Sequence, residues 1–270
     1  ISLWHYHNDP AFKKSVDWPT LARYLQENTT NNDFIIQQSI DAAFGYYYQR
    51  AGIHAEDTGL PTRSSQPEDE IIQTLENAYA QYHSIWVIAR PYPAWTNGPL
   101  VERWLDEHMQ RVRHLNIDGV PVRQFLPWDV RDDELTSEVT TTYEQVAELV
   151  GAKYFMPPTK NGDIIIWLYW KPIHQTEEPL TVFVHLIGGI NPSTGTPLWS
   201  QDDHPPQNGR ISTQTWDIGH IYRDVFYVSL DGVPAGSYIL QVGLYDTATG
   251  ERVLTSGGLD AYPIGEILLD

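Results

Sequence analysis

The side chains best suited to binding chemistry lie between positions 199 and 224: Trp199, Asp202, Asp203, His204, Trp216 and Asp224. Indole rings in or beside loops present flat apolar faces on which sugars stack. Loop carboxylates such as Asp202, Asp203 and Asp224 suit a hard cation, so a calcium ion is chemically reasonable there, although a charged turn needs no ion and no other cofactor is expected. Tyr46-Tyr47-Tyr48, Tyr92 and Trp95 are further rings read beside loops, whereas Trp86, Trp104, Trp167 and Trp170 fit buried positions. Ten histidines invite a metal reading, with His5 and His7 alternating in an extended N-terminal segment. No His-Glu-x-x-His helix or equivalent zinc spacing is present, so the histidines read as surface or loop residues.

Other chemistries are excluded more firmly. The chain carries 17 Lys and Arg against 35 Asp and Glu, a net charge of −18, which repels a phosphate backbone; nucleic acid is not an expected partner. It has no cysteine, which removes disulfides, thiolate metal sites and Cys nucleophiles together. There is no Gly-x-x-x-x-Gly-Lys, no Gly-x-Gly-x-x-Gly and no Gly-x-Ser-x-Gly. The turn after Phe34-Ile35-Ile36 is Gln37-Gln38-Ser39-Ile40-Asp41, whose side chains crowd a pyrophosphate. Among so many carboxylates, pairs at glycosidase spacing arise by chance and carry no information. No apolar run reaches the ~18–20 residues needed to cross hydrocarbon; the longest is Ile164 to Trp170.

Two kinds of scaffold must position these residues. Over 1–130 helical and strand patterns alternate. Asp17 before Trp18-Pro19-Thr20 reads as an N-cap with a first-turn proline, and short apolar runs at Phe34 to Ile36, Ile85 to Ala89 and Val120 to Leu126 read as strands. A helix is expected from Leu100 to Leu115, and a loop rich in Gly, Pro and Ser up to Gln66. This is the pattern of a small α/β domain with a mainly parallel sheet. Over 131–270, after the charged hinge Asp129 to Glu134, the period becomes two. Strands are expected at Val146 to Tyr154, Asp163 to Trp170, Leu180 to Leu186, Ile221 to Leu230, Gly236 to Tyr245 and Ile264 to Leu268, with a turn at Lys160-Asn161-Gly162-Asp163 and a polar loop holding Asp202-Asp203-His204. Such spacing predicts an antiparallel β-sandwich of jelly-roll or immunoglobulin-like type, in which Tyr238 after Pro234-Ala235-Gly236-Ser237 closes a corner with its hydroxyl.

Several strings in the second half form one block: Trp167-Leu168-Tyr169-Trp170, Thr181-Val182-Phe183-Val184-His185-Leu186, Gln201-Asp202-Asp203-His204-Pro205, Thr213-Gln214-Thr215-Trp216-Asp217-Ile218-Gly219, Ile221-Tyr222-Arg223-Asp224 and Val242-Gly243-Leu244-Tyr245-Asp246. This block resembles the C-terminal soluble region of bacterial polytopic membrane glycosyltransferases of the dolichyl-phosphate-mannose protein mannosyltransferase-like (GT-C type) group. Asp17-Trp18, Asn32 to Ile36, Phe44 to Tyr48 and Ile85 to Ile88 are similar to the segment that follows the last membrane helix there. In that family the catalytic carboxylates lie in an extracytoplasmic loop between the first membrane helices, so the resemblance assigns no catalytic residue to this chain. It implies an accessory region on the extracytoplasmic face of the membrane, beside its own upstream membrane domain, with a glycan or polyprenyl-linked sugar acceptor as partner. The start Ile-Ser-Leu-Trp, without Met, agrees with an excised piece. Two alternatives stand beside this: a free-standing secreted carbohydrate-active enzyme, glycosidase-like, with its site at the domain junction, or a protein-interaction module.

Overall fold

The chain divides into two compact units, Ile1–Trp128 and Asp129–Asp270. The structure, a computed structural model, describes residues 16–38, 40–89, 95, 97–135, 140–158 and 162–270. His5, His7, Tyr92 and the turn residues Lys160 and Asn161 lie outside them. Among the described residues no helix is long and apolar enough to cross a membrane.

The first unit is a mixed α/β layer. Its elements are α1 (Trp18–Asn28), β1 (Asp33–Gln37), α2 (Ala42–Ala51), β2 (Glu56–Gly59), α3 (Glu68–Gln81), β3 (Ser84–Ile88), α4 (Gly98–His108), β4 (Met109–Ile117) and β5 (Val120–Pro127). Asp17 caps α1 by accepting from Thr20 N–H, with proline in the first turn. The sheet runs β2-β1-β3-β5-β4. β1 and β3 are apolar on both faces: Phe34, Ile36, Ile85 and Val87 pack with α3 and α4, while Ile35, Trp86 and Ile88 pack with α1 and α2. Covering on both sides is what parallel strands require.

The expected parallel sheet is corrected to a mixed one. β1 pairs in parallel with β2 and β3, but β3–β5 and β4–β5 are antiparallel. The helix expected to reach Leu115 stops at His108, and the chain continues as a hairpin strand. The cause is the turn that follows: Asp118 and Gly119 have φ of 52° and 83°, the double positive φ of a two-residue type I′ hairpin, joining Ile117 to Val120. β2 falls in the segment read as loop because it is a short edge strand whose Glu56 and Asp57 are exposed, leaving no apolar alternation to detect.

The second unit has two antiparallel sheets. One runs β11 (Tyr222–Ser229), β8 (Asp163–Pro172), β7 (Ala147–Phe155), β6 (Thr141–Tyr143). The other runs β10 (Leu198–His204), β9 (Leu180–Ile187), β12 (Gly236–Asp246), β13 (Arg252–Val253), with β14 (Tyr262–Leu269) also on β12. A single buried cluster draws Ile164, Ile166, Leu168 and Trp170 from the first sheet and Val182, Val184, Leu240 and Val242 from the second. Tyr143 crosses that core, its hydroxyl donating to Val242 O at 2.7 Å. The expected corner is present: Tyr238 OH donates to Pro234 O at 2.8 Å.

Gly243 sits in the middle of β12, where glycine is normally unfavourable. It gives space to Phe183, whose fully buried ring lies over it beneath the Arg252 guanidinium, 4.5 Å from the ring centre. A Cβ there would overlap the Phe183 ring and stand 3.1 Å from Asp260 O. Gly243→Ala is therefore expected to destabilise by ~1–3 kcal/mol, the usual penalty of overpacking, read as a lower urea midpoint with unchanged slope.

Candidate functional site

The strand β10 carries three of the candidate residues in succession, in place of the expected polar loop. Strand geometry sends successive side chains to opposite faces, so neighbours in sequence cannot share one site here. Asp202 and His204 pair with Val184 and Val182 and belong to the core-facing side, while Asp203 pairs with Phe183 on the outer face.

β10 is the edge of one sheet and β11 the edge of the other. An edge strand leaves a row of main-chain donors and acceptors without ladder partners. Here side chains supply them. Tyr227 N–H donates to Asp202 Oδ2 at 2.7 Å. His204 places Nε2 3.2 Å from Val225 O and Nδ1 2.9 Å from Pro205 O, with its ring stacked on Phe226 at 4.0 Å. Gln207 Nε2 donates to Arg223 O at 3.3 Å. Asp224 Oδ1 accepts from Val225 N–H at 3.1 Å and from Gln207 N–H at 3.0 Å. The last bond holds a turn in which Gln207 and Asn208 have φ of 52° and 55°. A left-handed non-glycine residue costs of order 1 kcal/mol or more, so the turn persists only because these bonds over-determine it.

Asp224 is the most perturbed of the candidates. It is 1% exposed, and its Oδ2 is buried without a hydrogen-bond partner among the described residues. Burial pushes its carboxyl up to about 7; His204 and the N–H groups of Gln207 and Val225 oppose the shift, and Asp202 adds to it.

The other candidates lie apart. Asp203 Oδ1 faces His185 Nε2 at 3.3 Å, within ion-pair reach but off the hydrogen-bonding direction for both atoms. Trp199 is half-buried, donates Nε1–H to Gly189 O at 2.7 Å and meets Tyr238 edge-on at 6.0 Å. Trp216, read as a loop ring for stacking, is instead fully buried in the core and stacked on Tyr222 at 5.8 Å, so it has no face to offer a sugar. Among the described residues no group of three His, Asp or Glu converges as metal ligands. The three aspartates proposed for calcium are divided between opposite sides of β10 and main-chain bonding.

A buried network in the same unit involves none of the six candidates. Glu134 Oε1 accepts Arg131 N–H at 3.1 Å, and its Oε2 accepts from Arg223 Nη1 and, at 3.5 Å, from Tyr169 OH. Glu134 and Arg223 are 4% and 0% exposed. Burial, reinforced by the Glu134 charge, holds the Tyr169 phenol above its usual range, with Arg223 opposing. The signal was available: Arg223-Asp224 within an apolar strand puts one charge on each face, and both faces of β11 are buried there.

No protein family model and no curated protein matches the chain.

Proposed function

We propose that the chain is a non-catalytic accessory region on the extracytoplasmic side of a bacterial polytopic membrane glycosyltransferase, offering a glycan or acceptor surface beside the membrane-held reaction. The observation that carries the reading is the commitment of Asp202, His204 and Asp224 to main-chain groups of β11 and its neighbouring turn. A carboxylate that serves as base or nucleophile must instead reach a substrate atom. The strings quoted above support the placement, and the charge of −18 suits a region standing off an anionic bilayer. The two sheets are best described as a β-sandwich, and the hydroxyl corner at Tyr238 favours the immunoglobulin-like type over the jelly roll.

Of the six candidates, Trp199 retains a part-exposed indole, and glycan stacking is assigned to it. Calorimetric titration with mannose, short mannosides and a polyprenyl-linked sugar tests this. Saturable binding that falls about ten-fold, or 1.4 kcal/mol, in Trp199→Ala is expected, with no turnover of any sugar. Binding unaffected by the substitution, or release of free sugar from a glycoside, overturns the reading.

A further inference from the structure

We propose that the groove between α1 and α2 of the first unit binds a phosphate group. It is open to solvent and offers a volume of about 500 Å³, within the size range of small-ligand sites. Its charged lining is cationic: Arg23 from α1 and Arg50 from α2, with the Gln26 amide and Tyr47 beside them and the small Ala22 and Ala51 leaving room between the helices. Among the described residues no carboxylate lines it.

That is unusual in so acidic a chain. Six other arginines are taken up by acids: Arg63 by Glu70, Arg111 by Asp106, Arg123 by Glu102, Arg131 by Asp133, Arg223 by Glu134 and Arg252 by Asp260. Among the described residues Arg23 and Arg50 have no ion-pair partner, and Arg50 is held only by Tyr46 OH at 3.0 Å. The acids that open the two helices, Asp17 and Asp41, are occupied as their caps, accepting from Thr20 and Ala43 N–H. Two guanidiniums lining one groove without a counter-charge form an anion site, and their planar paired donors match the oxygens of phosphate. A phosphomonoester free in solution and a lipid phosphate headgroup share that chemistry. The groove uses no residue of the second unit, so it stands or falls independently of the glycan reading.

The test is titration of the whole chain with inorganic phosphate and glycerol phosphate by calorimetry and phosphorus NMR, and with phosphatidylcholine vesicles carrying phosphatidic acid by co-sedimentation. Variants are Arg23→Gln and Arg50→Gln, both exposed, with the exposed, unpaired Arg103→Gln on α4 as control. Each groove variant is expected to weaken binding about ten-fold, as loss of a charge-assisted contact implies, with unchanged melting and no effect in the control. Binding to vesicles alone, with the same arginine dependence, assigns a lipid headgroup; binding of glycerol phosphate assigns a free ester. Absence of saturable binding in both arms, or equal weakening by Arg103→Gln, overturns the proposal.

Discussion

Arg223→Met is expected to destabilise the second unit by ~3–5 kcal/mol, because it strands the Glu134 carboxylate in a buried setting without its cation. Both partners are almost completely enclosed, at 0% and 4% exposure, unlike the half-exposed Arg63–Glu70 pair. An exposed pair of that kind contributes ~0–1 kcal/mol. The buried pair differs because Glu134 also anchors the segment before β6 through Arg131 N–H and receives Tyr169 OH. For a unit of this size the loss corresponds to roughly 10 °C in melting temperature. The double variant Glu134→Leu/Arg223→Met removes both charges and is expected to recover most of it, since an apolar pair is often as stable as a buried ion pair. Differential scanning calorimetry decides the matter. A loss under ~1 kcal/mol in the single variant, the value of a surface pair, contradicts this picture of the network.

Asp224→Asn is expected to abolish a pH dependence rather than to unfold the protein. The wild-type carboxyl titrates near 7 when folded and near 3.8 when unfolded. Between those values the folded protein keeps a proton that the unfolded chain has released, so wild-type stability declines as pH rises from about 4 to about 7 and then levels off. The decline amounts to on the order of 4 kcal/mol, at about 1.36 kcal/mol for each pH unit between the two values. Asparagine retains an oxygen for Gln207 and Val225 N–H and carries no charge at any pH. Its stability should match the wild type near pH 4 and exceed it at pH 8. Urea unfolding of both proteins across that interval checks this; parallel curves would mean that the Asp224 carboxyl is already ionised when folded.

Much of the architecture was legible because it rests on apolar pattern. The β8 run from Ile164 to Trp170 is buried on both faces, and β9 and β12 keep Val182, Val184, Leu240 and Val242 in register on the core side. The elements that escaped lack that signature. β2 and β10 are edge strands whose side chains are largely polar. β4 was hidden by a coincidence of spacing, since Leu105, His108, Val112 and Leu115 also fit a helical face, and the decisive Asp118-Gly119 turn lies beyond them. The site was legible as residue types but not as an arrangement. Asp202, Asp203 and His204 look convergent in a loop and are divergent in a strand. Glu134 and Arg223, 89 positions apart, have no local sign of being partners. Trp216 shows the same limit: an indole between polar residues reads as exposed, yet the chain folds it into the core.

The polar side chains of β10 complete the edge of β11. Amide hydrogen exchange at Tyr227 tests this most directly, because its N–H has Asp202 Oδ2 as acceptor in place of a neighbouring strand. The expected result is slow exchange in the wild type that becomes fast in Asp202→Ala, while amides of β8 keep their protection. A Tyr227 amide that exchanges as freely as an open edge in the wild type, or that keeps its protection in Asp202→Ala, contradicts the account and returns Asp202 to the pool of groups free to meet a ligand.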